Sequence, residues 1–137
     1  MLAGLAAAGM AGCTTMAVDA RTIAATQWRV AAINGHATPA GGPFELGFNA
    51  GVISARFGCN SGGGGYRLEG GVIRPTGPML ATQMACASAT DEPQIDPMTF
   101  ERWGFAILGK PMRMRWVSGR HLILSNDAGS LDLQRKP

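Results

Sequence analysis

Charge is scarce in this chain of 137 residues: Lys, Arg, Asp and Glu together make up 15%, and the formal net charge is only +3. The basic residues are nearly all arginines and are scattered (Arg21, Arg29, Arg56, Arg67, Arg74, Arg102, Arg113, Arg115, Arg120), with only Arg135 and Lys136 adjacent. Nucleic-acid binding calls for a basic cluster interleaved with aromatics. Only Arg113 and Arg115 beside Trp116 hint at one, and solvated arginines on outward strand faces are the simpler reading, so no nucleic-acid partner is expected. Histidine is confined to His36 and His121, and neither HExxH nor CxxC spacing occurs. No metal and no cofactor are therefore expected. A Gly-x-Ser-x-Gly elbow is also missing, and the glycine run Gly62 to Gly65 is followed by Tyr66-Arg67 instead of the Lys-Ser/Thr pair of a phosphate loop. A Ser–His–acid triad is a spatial arrangement and stays open to a count of residues. No apolar run reaches the roughly 20 residues of a membrane-spanning helix.

What is present is hydrophobic residues at 46%, 20 glycines and 8 prolines. One domain of ordinary size fits this length, and the glycine and proline content favours short strands joined by many turns. The methionines Met79, Met84, Met98, Met112 and Met114, with Cys86, raise a soft copper(I) site as an alternative. Core filling is the plainer reading, since Met112, Met114 and Trp116 alternate with Arg113 and Arg115.

Residues 1–12 read MLAGLAAAGMAG, without a charge, and Cys13 follows. About a dozen apolar residues suit the h-region of a secretory signal. Ala11-Gly12-Cys13 resembles the bacterial lipobox, in which the new N-terminal cysteine is acylated. Met10 stands where an aliphatic residue is usual, and the basic n-region is missing. The expected organisation is a signal peptide over 1–12, a lipidated Cys13 with a tether to 25, and a domain over 26–137. A soluble secreted protein, or a disordered N-terminus, is the alternative. With Cys13 acylated, Cys59 and Cys86 remain as an even pair, a disulfide candidate in an exported protein; two separate buried thiols are the alternative.

Along the domain, Gln27 to Ile33 alternates as a strand and Asn34-Gly35 signals a turn. His36 to Pro43 reads as loop. Phe44 to Phe48 and Val52 to Phe57 form a hairpin, as do Tyr66 to Glu69 and Val72 to Arg74 across Gly70-Gly71. Four consecutive glycines argue against a central strand over Gly62 to Gly65. Met79 to Cys86 is either a short strand or an irregular turn. Thr90 or Asp91 would cap a helix with acids in its first turn, from the cluster Asp91, Glu92 and Asp96; its apolar positions run from Ile95 to Leu108, and Gly109 ends it. Pro97 is tolerable if the helix starts there. Strands around Met112 to Trp116, Leu122 to Leu124 and Leu131 to Leu133 close the chain. The expected class is α+β, mostly β: a small antiparallel or mixed sheet or partial barrel of about eight strands with one helix.

Phe57-Gly58-Cys59-Asn60, the glycine stretch ending in Gly65-Tyr66, and Ala81-Thr82-Gln83-Met84-Ala85-Cys86 form a pattern, with Trp28 and Asn34-Gly35 upstream. This resembles the META domain, or HslJ-like, family of bacterial envelope proteins over about Thr26 to Lys136. The matching positions are Trp28, Asn34, Gly35, Gly58, Cys59, Asn60, Gly65, Tyr66, Thr82, Met84, Ala85 and Cys86. The four-glycine run and Ala81 depart from the family pattern, and the family's early helix glutamate has two candidates, Glu92 and Glu101. The resemblance implies a small β-rich domain with one helix, often lipid-anchored, linked to envelope stress and drug tolerance and without established catalysis. The expected role is a non-catalytic protein anchored by its N-terminal lipid in the bacterial envelope and facing the periplasm, binding an unknown envelope protein or an apolar ligand. A small lipoprotein inhibitor of an exported hydrolase such as lysozyme is the alternative, and a hydrolase stands third. Asn60, in the simplest account of the motif, bonds its own local backbone.

Overall fold

Alternating apolar residues in the strands demand a shared interior, and the chain supplies it by closing a sheet on itself. The computed structural model describes residues 23–86 and 95–137. Its strands are β1 (Thr26–Ile33), β2 (His36–Ala37), β3 (Phe44–Asn49), β4 (Val52–Phe57), β5 (Ser61–Glu69), β6 (Val72–Pro75), β7 (Leu80–Ala81), β8 (Met112–Ser118), β9 (His121–Asn126) and β10 (Gly129–Arg135). Among the described residues one helix, α1 (Pro97–Leu108), lies between β7 and β8. The order β10-β9-β8-β6-β5-β4-β3-β1 is antiparallel throughout, and β1 pairs with β10 to close an eight-strand barrel; β2 and β7 are added at β1 and β5.

The barrel interior is packed. Trp28, Val30 and Ile33 from β1 meet Leu46 and Phe48 from β3, Ile53 and Phe57 from β4, Ile73 from β6, Met112 from β8, and the leucines of β9 and β10. Arg113 and Arg115 face outward while Met112 is buried and Met114 and Trp116 are half-buried, as the alternation requires. Ile23 is fully buried too, so the core reaches back into the segment read as tether.

The helix closes one mouth. Its buried face carries Phe100, Glu101, Gly104, Ile107 and Leu108. Phe100 packs edge-on against Phe44 at the start of β3, and Phe105 against Phe57 at the end of β4. The Ile107 carbonyl accepts from Asn126 Nδ2 at the end of β9. These strand ends lie at one rim. The opposite rim is filled by Trp28 against Trp116 and Phe48 against Tyr66, and the described chain enters there, where Thr26 Oγ1 donates to the Ile23 carbonyl.

Three sequence expectations need correcting. Gly62 to Gly65 do form a strand inside the sheet: they are the first half of β5, paired with β4 throughout and, at Gly62 and Gly63, with β7 on the other side. The reason is crowding, since a Cβ on Gly63 would run into the Ile53 carbonyl, and one on Gly62 into the Leu80 carbonyl and the Phe105 ring. The helix is capped by Asp96, whose side chain accepts from Met98 N at 2.8 Å, with Pro97 in the first turn and no acid there. Thr90, Asp91 and Glu92 lie outside the described residues, as do Cys13 and residues 1–22. Finally, His36 and Ala37 are strand, not loop, because Asn34 and Gly35, both at positive φ, turn the chain back on β1.

Candidate functional site

The motif residues converge beside the helix-covered mouth. β4 ends at Phe57, and Gly58 (φ +94°) turns the chain so that Cys59 meets Cys86 and Asn60 meets Glu101 on α1. Asn60 is fully buried. Its Oδ1 accepts from Thr82 Oγ1 at 2.8 Å and from Met84 N at 2.7 Å. Its Nδ2 donates to the Met84 carbonyl at 2.9 Å and to Glu101 Oε2 at 3.1 Å. Its backbone N–H donates to Glu101 Oε1 at 2.8 Å. An asparagine amide offers two donors and two acceptor sites, so this side chain is saturated. The partners are distant in sequence, which corrects the expectation of a local backbone bond.

Cys59 and Cys86 form a disulfide with Cα atoms 6.0 Å apart, within the usual span. Thr82 N donates to the Ser61 carbonyl at 2.9 Å, and β7 pairs with Gly62 and Gly63. The arm from Leu80 to Cys86 is thus held at both ends and along its middle. Its outer side chains are in water: Leu80 is 71% and Met84 57% exposed, and Ala85 is exposed.

The other family positions lie apart from this knot. Asn34 Oδ1 accepts from Ser130 N at 3.0 Å, tying the β1–β2 turn to β10, and Gly35 follows it at φ +79°. Trp28 Nε1 donates to Thr26 Oγ1 at 2.8 Å at the opposite mouth. Tyr66 is buried there against Phe48, and burial pushes its phenol above the usual pKa of 10.0. A Cβ on Gly65 would strike the Thr76 hydroxyl. Glu101 is the residue the motif reading left undecided. Helical spacing puts it on one stripe with Gly104 and Leu108, so a buried carboxylate in need of donors was legible there.

Among the described residues no group of three or more His, Cys, Asp or Glu side chains is placed to hold a metal. The surface carries shallow clefts. One of about 530 Å³ is lined by Arg74, Pro111, Arg113, Ser125 and Asp127 among others. Another of about 290 Å³ lies between His36, Thr38, Ile95 and Phe100.

Two solved structures share the fold. An NMR structure of a protein from Burkholderia xenovorans superposes with a TM-score of 0.68 at 18% identity, covering 99% of each chain. A second NMR structure gives 0.67 at 19% identity, covering 84% of this chain and 92% of the other. No curated protein matches the sequence. The family model for the META domain matches residues 21–137, which takes in the barrel, the saturated Asn60 and the disulfide-pinned arm, and the chain belongs to the META domain family.

Proposed function

We propose that this protein is a non-catalytic, lipid-anchored component of the bacterial envelope that docks another envelope protein through the arm at its helix-covered mouth. The observation that carries this reading is the rigid exposure of Leu80 and Met84 on a segment fixed by a disulfide and by Asn60. Apolar side chains held in water without freedom to collapse are preorganised for a partner. The barrel interior is occupied by its own large side chains, from Trp28 to Phe57, which favours a protein partner over an enclosed apolar ligand. Family membership and the disulfide are both compatible with an envelope or periplasmic location. The N-terminal segment enters at the opposite rim, by Ile23 and Thr26. A role in envelope stress or drug tolerance belongs to the same reading.

Crosslinking followed by pulldown from detergent-solubilised envelopes tests it. The wild-type chain should capture a specific envelope protein, and the L80E/M84E double variant should lose it while melting at the same temperature. Capture that survives the double substitution would overturn the arm as the docking surface. Cys13→Ala should shift the chain from the membrane to the soluble fraction, and unchanged membrane association would overturn the anchor.

A further inference from the structure

The β6–β8 junction is the shortest seam of the barrel. Val72 pairs with Arg113 and Ile73 with Met112, and there the register ends. The next partner for Arg74 would be Pro111, which has no N–H to continue the ladder. Beyond this point lies the cleft of about 530 Å³, a volume in the range of small-molecule sites.

Arg74 and Arg113 both line it. Arg67 stands directly opposite Arg74 across β5–β6, an arrangement of like charges that costs stability. Glu69 Oε2 answers both, at 3.2 Å from Arg67 Nε and 3.6 Å from Arg74 Nε. That one carboxylate oxygen leaves Arg74 Nε enclosed and without a hydrogen bond. The acid of the lining, Asp127, is engaged by Lys110 at 3.5 Å. Arg113 takes part in none of the ion pairs among the described residues. Ser125 sits beside it, paired across β8–β9. The lining therefore carries two arginines, Arg74 and Arg113, against one acid, Asp127.

We propose that this cleft binds a phosphomonoester, held between Arg74 and Arg113 with the Ser125 hydroxyl as a further donor. Guanidinium forks match the oxygens of a phosphate group better than a point charge does, and the remaining volume accommodates an organic substituent. The phosphate belongs either to a soluble metabolite or to a lipid headgroup. This site is separate from the arm, so the pulldown and the binding measurement fail independently.

Titration calorimetry on the full chain at low ionic strength tests the site with two probes, glycerol 3-phosphate and dihexanoyl phosphatidic acid, against dihexanoyl phosphatidylcholine. Saturable binding of either phosphomonoester, weakened about tenfold in R74Q and in R113Q, supports the proposal, and the tighter probe identifies the source. R113K keeps the charge but loses the fork and should fall between. R115Q, on the same strand and outside the cleft, should bind as wild type. The proposal is overturned if neither phosphomonoester binds, if phosphatidylcholine binds equally well, or if R115Q weakens binding as much as R113Q does.

Discussion

Asn60 and Glu101 meet through two hydrogen bonds, backbone N to Oε1 at 2.8 Å and Nδ2 to Oε2 at 3.1 Å, although one follows a strand and the other lies on the helix. Both are buried. Each carboxylate oxygen receives an N–H, so Glu101→Gln must set an NH2 against one of those donors. The expected cost is about 1–3 kcal/mol, the usual penalty for a buried polar group left unpaired. Asn60→Asp should cost more, since it places a carboxylate oxygen against both Glu101 Oε2 and the Met84 carbonyl. Urea unfolding followed by tryptophan fluorescence reads both. Wild-type stability in Glu101→Gln would show that this contact holds nothing together.

The disulfide spans 27 residues of sequence. The chain-entropy model assigns about 3.5 kcal/mol to a loop of that size. Cys59→Ser/Cys86→Ser, or reductant, should therefore lower the melting temperature by roughly 10–20 °C. Aerobically purified protein should show no free thiol at these two positions before reduction. A melting temperature insensitive to reductant would mean that Asn60 and β7 hold the arm alone.

Glycines of β5 and α1 differ in what surrounds them. A Cβ at Gly63 meets the Ile53 carbonyl, and at Gly104 it meets the Phe57 ring at 2.5 Å, whereas at Gly64 its nearest neighbours stand farther off, the Met79 sulfur at 3.0 Å and the Pro78 carbonyl at 3.1 Å. Gly63→Ala should be the most damaging, because a backbone carbonyl in the ladder cannot move aside. Gly104→Ala should cost about 1–3 kcal/mol through overpacking, despite alanine's better helix propensity. Gly64→Ala should be the mildest. Thermal melts of the three variants check the ranking, and equal values would refute the crowding account of the glycine run.

Tyr66 gives the fold a dependence on alkaline pH. Burial raises its phenol above 10.0, so the native chain holds that proton more tightly than the unfolded chain does. The associated stability is fully present below about pH 10, the ordinary tyrosine value, and is lost as pH climbs from there through the native pKa. It is the single tyrosine of the sequence, so phenolate absorbance near 295 nm reports it alone. The native titration should lie above that of the urea-unfolded chain, and Tyr66→Phe should flatten the stability profile over that window. Coincident titrations would contradict the burial.

The alternating strands were legible because their period is written in neighbouring residues: Phe44, Leu46 and Phe48 are buried on one face, as are Ile53, Ala55 and Phe57. The paired turn signals Asn34-Gly35 and Gly70-Gly71 fall where the chain reverses at positive φ. What could not be read were features set by remote partners. Local propensity speaks against glycine in a strand, yet the crowding at Gly62 comes from Phe105 on the helix and the Leu80 carbonyl on the arm. Asn60 looks like a turn residue in its own window. Its role rests on Thr82, Met84 and Glu101, two segments brought in by the disulfide and by the fold. Pro111 likewise ends the β6–β8 ladder only because the register places it opposite Arg74.

The closure of the barrel by β1 against β10 has a consequence in time. A chain delivered from its N-terminus can pair β1 with β3, and β4 with β5, as soon as those strands emerge. The other edge of β1, from Trp28 to Ile33, must wait for Leu131 to Arg135, the last strand of the described chain. Until then it is an open row of N–H and C=O groups, the kind of edge that recruits a neighbouring chain. During synthesis this domain therefore passes through a sticky interval that ends only when the strand Gly129–Arg135 arrives. Chaperone dependence should be concentrated in that interval.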